Sequence, residues 1–169
     1  MQSASLENKG GLNKAARSGQ YRVMIVDDSA VLRGLTSKWL SEDPSIQIVG
    51  VAANGEMAVN NILKLDPEVV VLDIEMPVMD GLTALPKLLQ LKPDVKILMS
   101  STLNKRNAEI SMRALALGAT DYVAKPESNR EVATSLSFQQ ELISKVINIA
   151  AANRRRHGAP IFAGKTNIV

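Results

Sequence analysis

Between residues 21 and 152 the apolar positions follow two alternating rhythms. Five short runs have little or no polar interruption: Tyr21–Val26, Ile46–Ala52, Val69–Leu72, Val95–Met99 and Asp121–Ala124. Such runs, rich in β-branched residues, predict strands covered on both faces. Between them apolar residues recur at helical spacing. Val31, Leu32, Leu35, Trp39 and Leu40 form one such stripe, and Met57, Ala58, Ile62 and Leu65 a second. Leu82, Leu85, Leu88 and Leu89 form a third, and Ile110, Met112, Leu115 and Leu117 a fourth. Phe138, Leu142, Val146, Ile149 and Ala150 mark a last helix between about Ser135 and Ala152. Ser29 is placed to cap the first helix, and Asn54-Gly55 opens the second. Asp43-Pro44, Asp66-Pro67, Lys92-Pro93 and Gly118 break the chain between elements. Pro86 falls inside the third stripe, which predicts a place in its first two turns or a kink.

Strand followed by helix, five times over, predicts an α/β fold. The expectation is a flavodoxin-like (βα)5 domain, a doubly wound parallel sheet in strand order 2-1-3-4-5. Residues 21–152 form this domain. Residues 1–20 and 153–169 carry no strong periodicity and read as a flexible N-terminal arm and a basic tail or linker.

Composition narrows the function. The chain has 169 residues, 46% of them hydrophobic, which suits one domain with a core. No apolar run reaches the roughly 20 residues of a membrane span. The first residues lack the apolar segment of a signal peptide, and there are no cysteines, so cytoplasmic is the default location. The net charge of +3 is unevenly placed. The arm has three basic groups and one acid, and the tail has Arg154, Arg155, Arg156 and Lys165 without an acid. The body between them holds 13 basic and 16 acidic groups. The Arg-rich stretch reads as a solvated linker or helix end rather than a nucleic-acid site. Five aromatic residues in the whole chain, none interleaved with basic ones, also argue against a nucleic-acid partner.

In a sheet of this class, ligands bind beyond the carboxyl ends of the strands. Asp27 and Asp28 end the first strand, and Asp73 the third. Ser101 and Thr102 end the fourth, and Lys125 the fifth. Three carboxylates on one rim repel one another, and a hard divalent cation such as Mg²⁺ offsets this. Lys125 adds a further positive charge. Asp73 is then free to act as a nucleophile toward a phosphoryl group, with Ser101 donating a hydrogen bond to a phosphoryl oxygen.

The ordered set Asp27-Asp28, Asp73, Ser101 and Lys125-Pro126 resembles the receiver domain of bacterial two-component response regulators. The stretches VDDSAVLR, DPSIQIVGVAANG, LDIEMPVMDGLTALPKL and ALALGATDYVAKP are similar to the receiver of the chemotaxis protein-glutamate methylesterase (CheB) family. The resemblance covers roughly residues 20–150. It implies that Asp73 is the phosphoacceptor for a sensor histidine kinase. It implies that Asp28, Asp73 and the backbone carbonyl of Glu75 bind Mg²⁺ directly and that Asp27 helps through water. Ser101 becomes the switch hydroxyl, Lys125 the phosphoryl partner and Tyr122 a switch aromatic. Glu75 and Leu103 lie where relatives tune phosphate lifetime. Lys125-Pro126 is expected to be a cis peptide that shapes its loop. The face made by the fourth helix, fifth strand and last helix would meet an effector domain or partner. The family's esterase domain is expected to be absent, because the chain has no G-x-S-x-G-like segment and only His157 as histidine.

Three other functions compete. A haloacid-dehalogenase-like phosphatase also uses an aspartate, but needs D-x-D where this chain has Asp73-Ile74-Glu75. A DNA-binding regulator would need more than a 17-residue basic tail. A degenerate receiver acting as a phosphorylation-independent binding module would not need the full acceptor and metal set present here.

Overall fold

Five parallel strands form a single sheet in the order β2-β1-β3-β4-β5. The structure is a computed structural model and describes residues 19–102 and 104–162. Residues 1–18 of the expected arm, Leu103 and residues 163–169 of the expected tail lie outside the described residues. The strands are β1 (Tyr21–Val26), β2 (Ile46–Ala52), β3 (Val69–Asp73), β4 (Lys96–Thr102) and β5 (Asp121–Lys125). The helices are α1 (Ala30–Glu42), α2 (Gly55–Leu65), α3 (Gly81–Leu91), α4 (Lys105–Ala116), α5 (Asn129–Thr134) and α6 (Leu136–Arg156). The fold is the flavodoxin-like α/β fold read from the sequence, with the same strand order.

Alternation along each strand explains why the apolar runs are uninterrupted. Val23 and Ile25 of β1 and Val69 and Val71 of β3 join one core, with Leu40, Phe138, Leu142 and Val146 from α1 and α6. Met24, Val26, Val70 and Leu72 join the other, with Ile62, Leu85, Leu88 and Ala114 from α2, α3 and α4. Both faces of the sheet are covered, so the strand interiors are apolar on both sides and polar residues gather at the strand ends. Each side chain such as Leu72 or Leu142, under 2% exposed, contributes about 1.5–3 kcal/mol by burial.

Local chemistry starts each helix. Ser29, Asn54, Asp80, Asn104, Ser128 and Ser135 all accept a hydrogen bond from the backbone N–H three residues on. A cap of this kind contributes about 1 kcal/mol. Pro86 sits in the second turn of α3, within the expected range. The short α5 was not anticipated: its one buried residue, Val132, joins the α1–α6 core but is too solitary to show a period.

The last helix departs most from expectation. α6 continues four residues past Ala152, and Gly158 at φ 68° ends it in the left-handed conformation that glycine favours. Ala159 N–H then donates to the Arg154 carbonyl at 2.8 Å. Arg154 is therefore not part of a solvated tail. It is 8% exposed and uses all five of its donors. Nε and Nη2 reach the Glu68 carboxylate at 2.5 and 2.7 Å. Nη1 and Nη2 reach the carbonyls of Gly19, Gln20 and Pro160 at 2.7–3.2 Å. The guanidinium also lies 4.5 Å from the Tyr21 ring centroid. The segment after α6 is thus fastened to the amino end of the sheet, and the Phe162 N–H donates to the Tyr21 hydroxyl.

Removing one partner of such a buried pair leaves the other uncompensated. Arg154→Met is expected to lower the unfolding free energy by about 3 kcal/mol in urea titrations. Arg155→Met, at the exposed neighbouring position, should change it by less than about 0.5 kcal/mol.

Candidate functional site

The parallel sheet brings the carboxyl ends of its strands to one edge. Asp27 follows β1 directly, Asp73 is the last residue of β3, and Lys125 is the last of β5. The pairing of Val26 with Leu72 places the first two side by side across 46 residues of chain. Lys125 starts two strands away, and its long stem reaches back across β4. Its Nζ lies 3.2 Å from Asp73 Oδ1 and 3.3 Å from Asp27 Oδ2. Asp27, Asp73 and Lys125 are each 7% exposed, whereas Asp28 is exposed. One carboxylate oxygen from each of Asp27, Asp28 and Asp73 lies within 4.8 Å of the others.

Three carboxylates face one ammonium, and the charge imbalance shows in Asp73. Burial raises its pKa, Lys125 opposes the rise, and Asp27 and Asp28 add to it. Desolvation wins, and the carboxyl is pushed up to about 7. Asp27 is held on two sides. Its Oδ1 accepts the Ser29 N–H at 2.9 Å, and its carbonyl accepts from Arg33 Nη1 at 2.8 Å. Arg33 was not singled out in the sequence, since a lone arginine on a helix gives no sign of what it reaches.

The loop after Asp73 is tightly specified. Asp73 Oδ1 accepts the Ile74 N–H at 2.8 Å, and the Ile74 carbonyl accepts the Gly81 N–H at 2.7 Å. A Cβ on residue 81 would stand 2.1 Å from the Asp73 carbonyl oxygen. Gly81 is therefore needed for close approach to Asp73, rather than for flexibility. Val78 adopts φ 69°, and the Met79 N–H returns to the Pro77 carbonyl at 2.7 Å. A β-branched residue there stores on the order of 1–2 kcal/mol of strain, next to the functional edge. Glu75, in the same loop, has an exposed side chain.

Ser101 and Thr102 end β4, Tyr122 lies within β5, and Pro126 follows it. Ser101 is 5% exposed and pairs with Ala124 in the β4–β5 ladder. The Thr102 hydroxyl is already engaged, accepting from Asn107 Nδ2 at 2.8 Å. Tyr122 is turned outward, 39% exposed. Lys145 Nζ lies 5.5 Å from its ring centroid and donates to its carbonyl at 2.6 Å. The Lys125–Pro126 peptide is trans, not cis as expected. The trans form is the intrinsically preferred one even before proline, and the turn into α5 accommodates it. Leu103 lies outside the described residues.

The chain is similar to known proteins in sequence and in fold. A sequence profile for the response regulator receiver domain matches residues 23–137. The chain belongs to the response-regulator receiver family. The receiver is 52% identical over 140 residues to a protein-glutamate methylesterase/protein-glutamine glutaminase 1 of Rhodospirillum rubrum, covering 83% of this chain and 36% of that protein. It is 54% identical over 138 residues to a similarly described protein of Rhodospirillum centenum, covering 82% and 35%. The receiver thus spans about a third of the length of these curated relatives. The response regulator domain of Thermotoga maritima CheB superposes with a TM-score of 0.66 at 35% identity, over 78% of this chain and 96% of that one. A chain of the CheX–CheY–BeF3–Mg²⁺ complex of Borrelia burgdorferi gives 0.64 at 25% identity, over 79% and 96%. This is a two-component response-regulator receiver similar to those of chemotaxis methylesterases.

The raised Asp73 pKa has a defined sign. Without a divalent cation the folded receiver binds the Asp73 proton more tightly than the unfolded chain does. The group therefore makes stability fall as pH rises from about 4, its unfolded value, to about 7. In chelator, Asp73→Asn and wild type should unfold at similar urea concentrations near pH 4. By pH 8 the variant should be the more stable by a few kcal/mol, at ~1.4 kcal/mol per pKa unit.

Proposed function

We propose that this receiver accepts a phosphoryl group on Asp73 from a sensor histidine kinase and, in response, changes a surface that meets an effector. The observation that carries the reading is the buried Asp73 carboxylate, 3.2 Å from Lys125 and grouped with Asp27 and Asp28. Three converging hard oxygen donors with excess negative charge fit Mg²⁺, which prefers carboxylates, waters and phosphate oxygens. Asp28, Asp73 and the Glu75 carbonyl would hold it, with Asp27 acting through water. Bound there, the cation supplies charge neutralisation for the incoming phosphoryl group.

This chain's own residues do the rest. An Asp73 carboxylate oxygen attacks the phosphorus, and the bond from phosphorus to the donor's histidine nitrogen breaks, leaving the electron pair on nitrogen. Lys125 pairs with a phosphoryl oxygen, and the Ser101 hydroxyl donates to another. Movement of Ser101 displaces the end of β4, and Tyr122 turns inward. The equilibrium of the α4–β5–α6 face then shifts toward its effector-binding state. On that face α4 exposes Met112 (62%) and α6 exposes Leu136 (70%), apolar side chains available to a protein partner. The effector is a methylesterase domain in a longer protein or a separate partner of a free-standing relative. Among the described residues no helix is long and apolar enough to cross a membrane, and the reading places the receiver in the cytoplasm.

Intact mass after incubation with a small acyl phosphate and Mg²⁺ tests the reading. Wild type should gain one phosphoryl group only when Mg²⁺ is present, and Asp73→Asn should gain none. A folded wild type that binds Mg²⁺ and gains nothing would instead point to a phosphorylation-independent binding module.

A further inference from the structure

A cavity of about 150 Å³ separates the end of β4 from α4 and β5, lined by Ser101, Thr102, Asn107, Ser111, Met112 and Tyr122 among others. Tyr122 stands on its border with its side chain outward. An apolar cavity of about this volume accepts a benzene ring, so the space is sufficient for the ring of Tyr122.

Asn107, in the first turn of α4, is the polar side chain that the receiver chemistry leaves unexplained. It is 2% exposed. Nδ2 donates to the Thr102 carbonyl at 3.0 Å and to the Thr102 hydroxyl at 2.8 Å. A carbonyl only accepts, so chemistry alone orients the amide: the nitrogen faces Thr102. Oδ1 is left buried without a hydrogen-bond partner among the described residues. Buried acceptors are rarely left without a donor, and the phenol of Tyr122 is a donor at the edge of the same cavity.

We infer that Asn107 is the positioning residue that couples the end of β4 to Tyr122. Its amide nitrogen ties Thr102 to α4, and its amide oxygen receives the Tyr122 hydroxyl when the ring enters the cavity. The inference rests on the phosphoreceiver reading and deepens it. Thr102 follows Ser101 directly, so a shift of Ser101 toward a phosphorylated Asp73 carries the carbonyl that Asn107 holds. The Asn107 side chain turns with it, and its oxygen is presented to the inward ring. The outward and inward positions of Tyr122 thereby become two alternatives governed by one amide.

The test uses the whole chain with acyl phosphate and Mg²⁺, with intact mass measured on each sample. The Asn107 side-chain ¹³Cγ resonance is followed by NMR and identified by its loss in Asn107→Leu. On phosphorylation it should shift in wild type and shift less in Tyr122→Phe, where Thr102 still carries the amide but the phenol's hydrogen bond to its oxygen is lost. That variant removes only a hydroxyl from a part-exposed ring and leaves the fold intact. The chain has two tyrosines, so fluorotyrosine labelling reads Tyr122 separately from Tyr21. Asn107→Leu should lower the ratio of inward to outward Tyr122 in the phosphorylated state about fivefold, the effect of one neutral hydrogen bond. An adduct in every sample together with the same ¹³Cγ shift in wild type and Tyr122→Phe overturns the role of Asn107. An adduct with no change in ¹³Cγ in wild type also overturns it. No adduct in wild type overturns the phosphoreceiver reading, and this inference with it.

Discussion

The pair of contacts from Lys125 to Asp73 and Asp27 holds the functional edge together. At 3.2 and 3.3 Å, and with all three groups nearly buried, each Coulomb attraction is about 5 kcal/mol before desolvation at an effective dielectric near 20. Without it, two adjacent buried carboxylates would face each other at the ends of neighbouring strands. Even so, one ammonium is too little. The proton affinity of Asp73 remains raised because its desolvation and the two neighbouring aspartates outweigh Lys125. The edge is left short of positive charge, which suits it to a cation and to phosphoryl chemistry rather than to a closed structural ion pair.

The two ends of the sheet are fastened by different means. At the carboxyl end, tightly tied segments are separated from segments that border open space. Gly81 packs against the Asp73 backbone, and the Pro77–Met79 turn is tied through the Met79 carbonyl to the Gly55 N–H. Ser101, Thr102 and Tyr122 instead border a cavity, so rearrangement there does not require the core to be repacked. At the amino end Arg154 and Glu68 join α6, β3 and the entry to β1. A change at the Asp73 edge therefore has a rigid sheet to work against, with the chain's exit held at the opposite end.

Much of this was legible from local pattern. Asp27, Asp73 and Lys125 each close an apolar run, and the side-chain period of a strand leaves no other place for such runs than between two layers of helices. Other features were not. Arg154, Arg155 and Arg156 are the same residue three times in sequence. Only the phase of α6 and a glutamate 86 residues away decide that the first is buried and the second exposed. Asn107 reads as an ordinary polar residue at a helix start until Thr102 is seen opposite its amide. The positive φ of Val78 depends on loop closure, which neighbouring residues in sequence do not encode.

The order of hydrophobic and polar residues by itself determined five strands, the principal helices, their parallel arrangement and which residues could gather at one edge. These follow from short-range periodicity and from the requirement that apolar surface be buried. Tertiary structure alone decided the distances that make the gathered residues a site: Lys125 between two carboxylates, the Asp73 proton held to about pH 7, Tyr122 outside a cavity and Asn107 with one oxygen unfilled among the described residues. Those properties depend on desolvation and on contacts between residues far apart in the chain, and both arise only once the layers have packed.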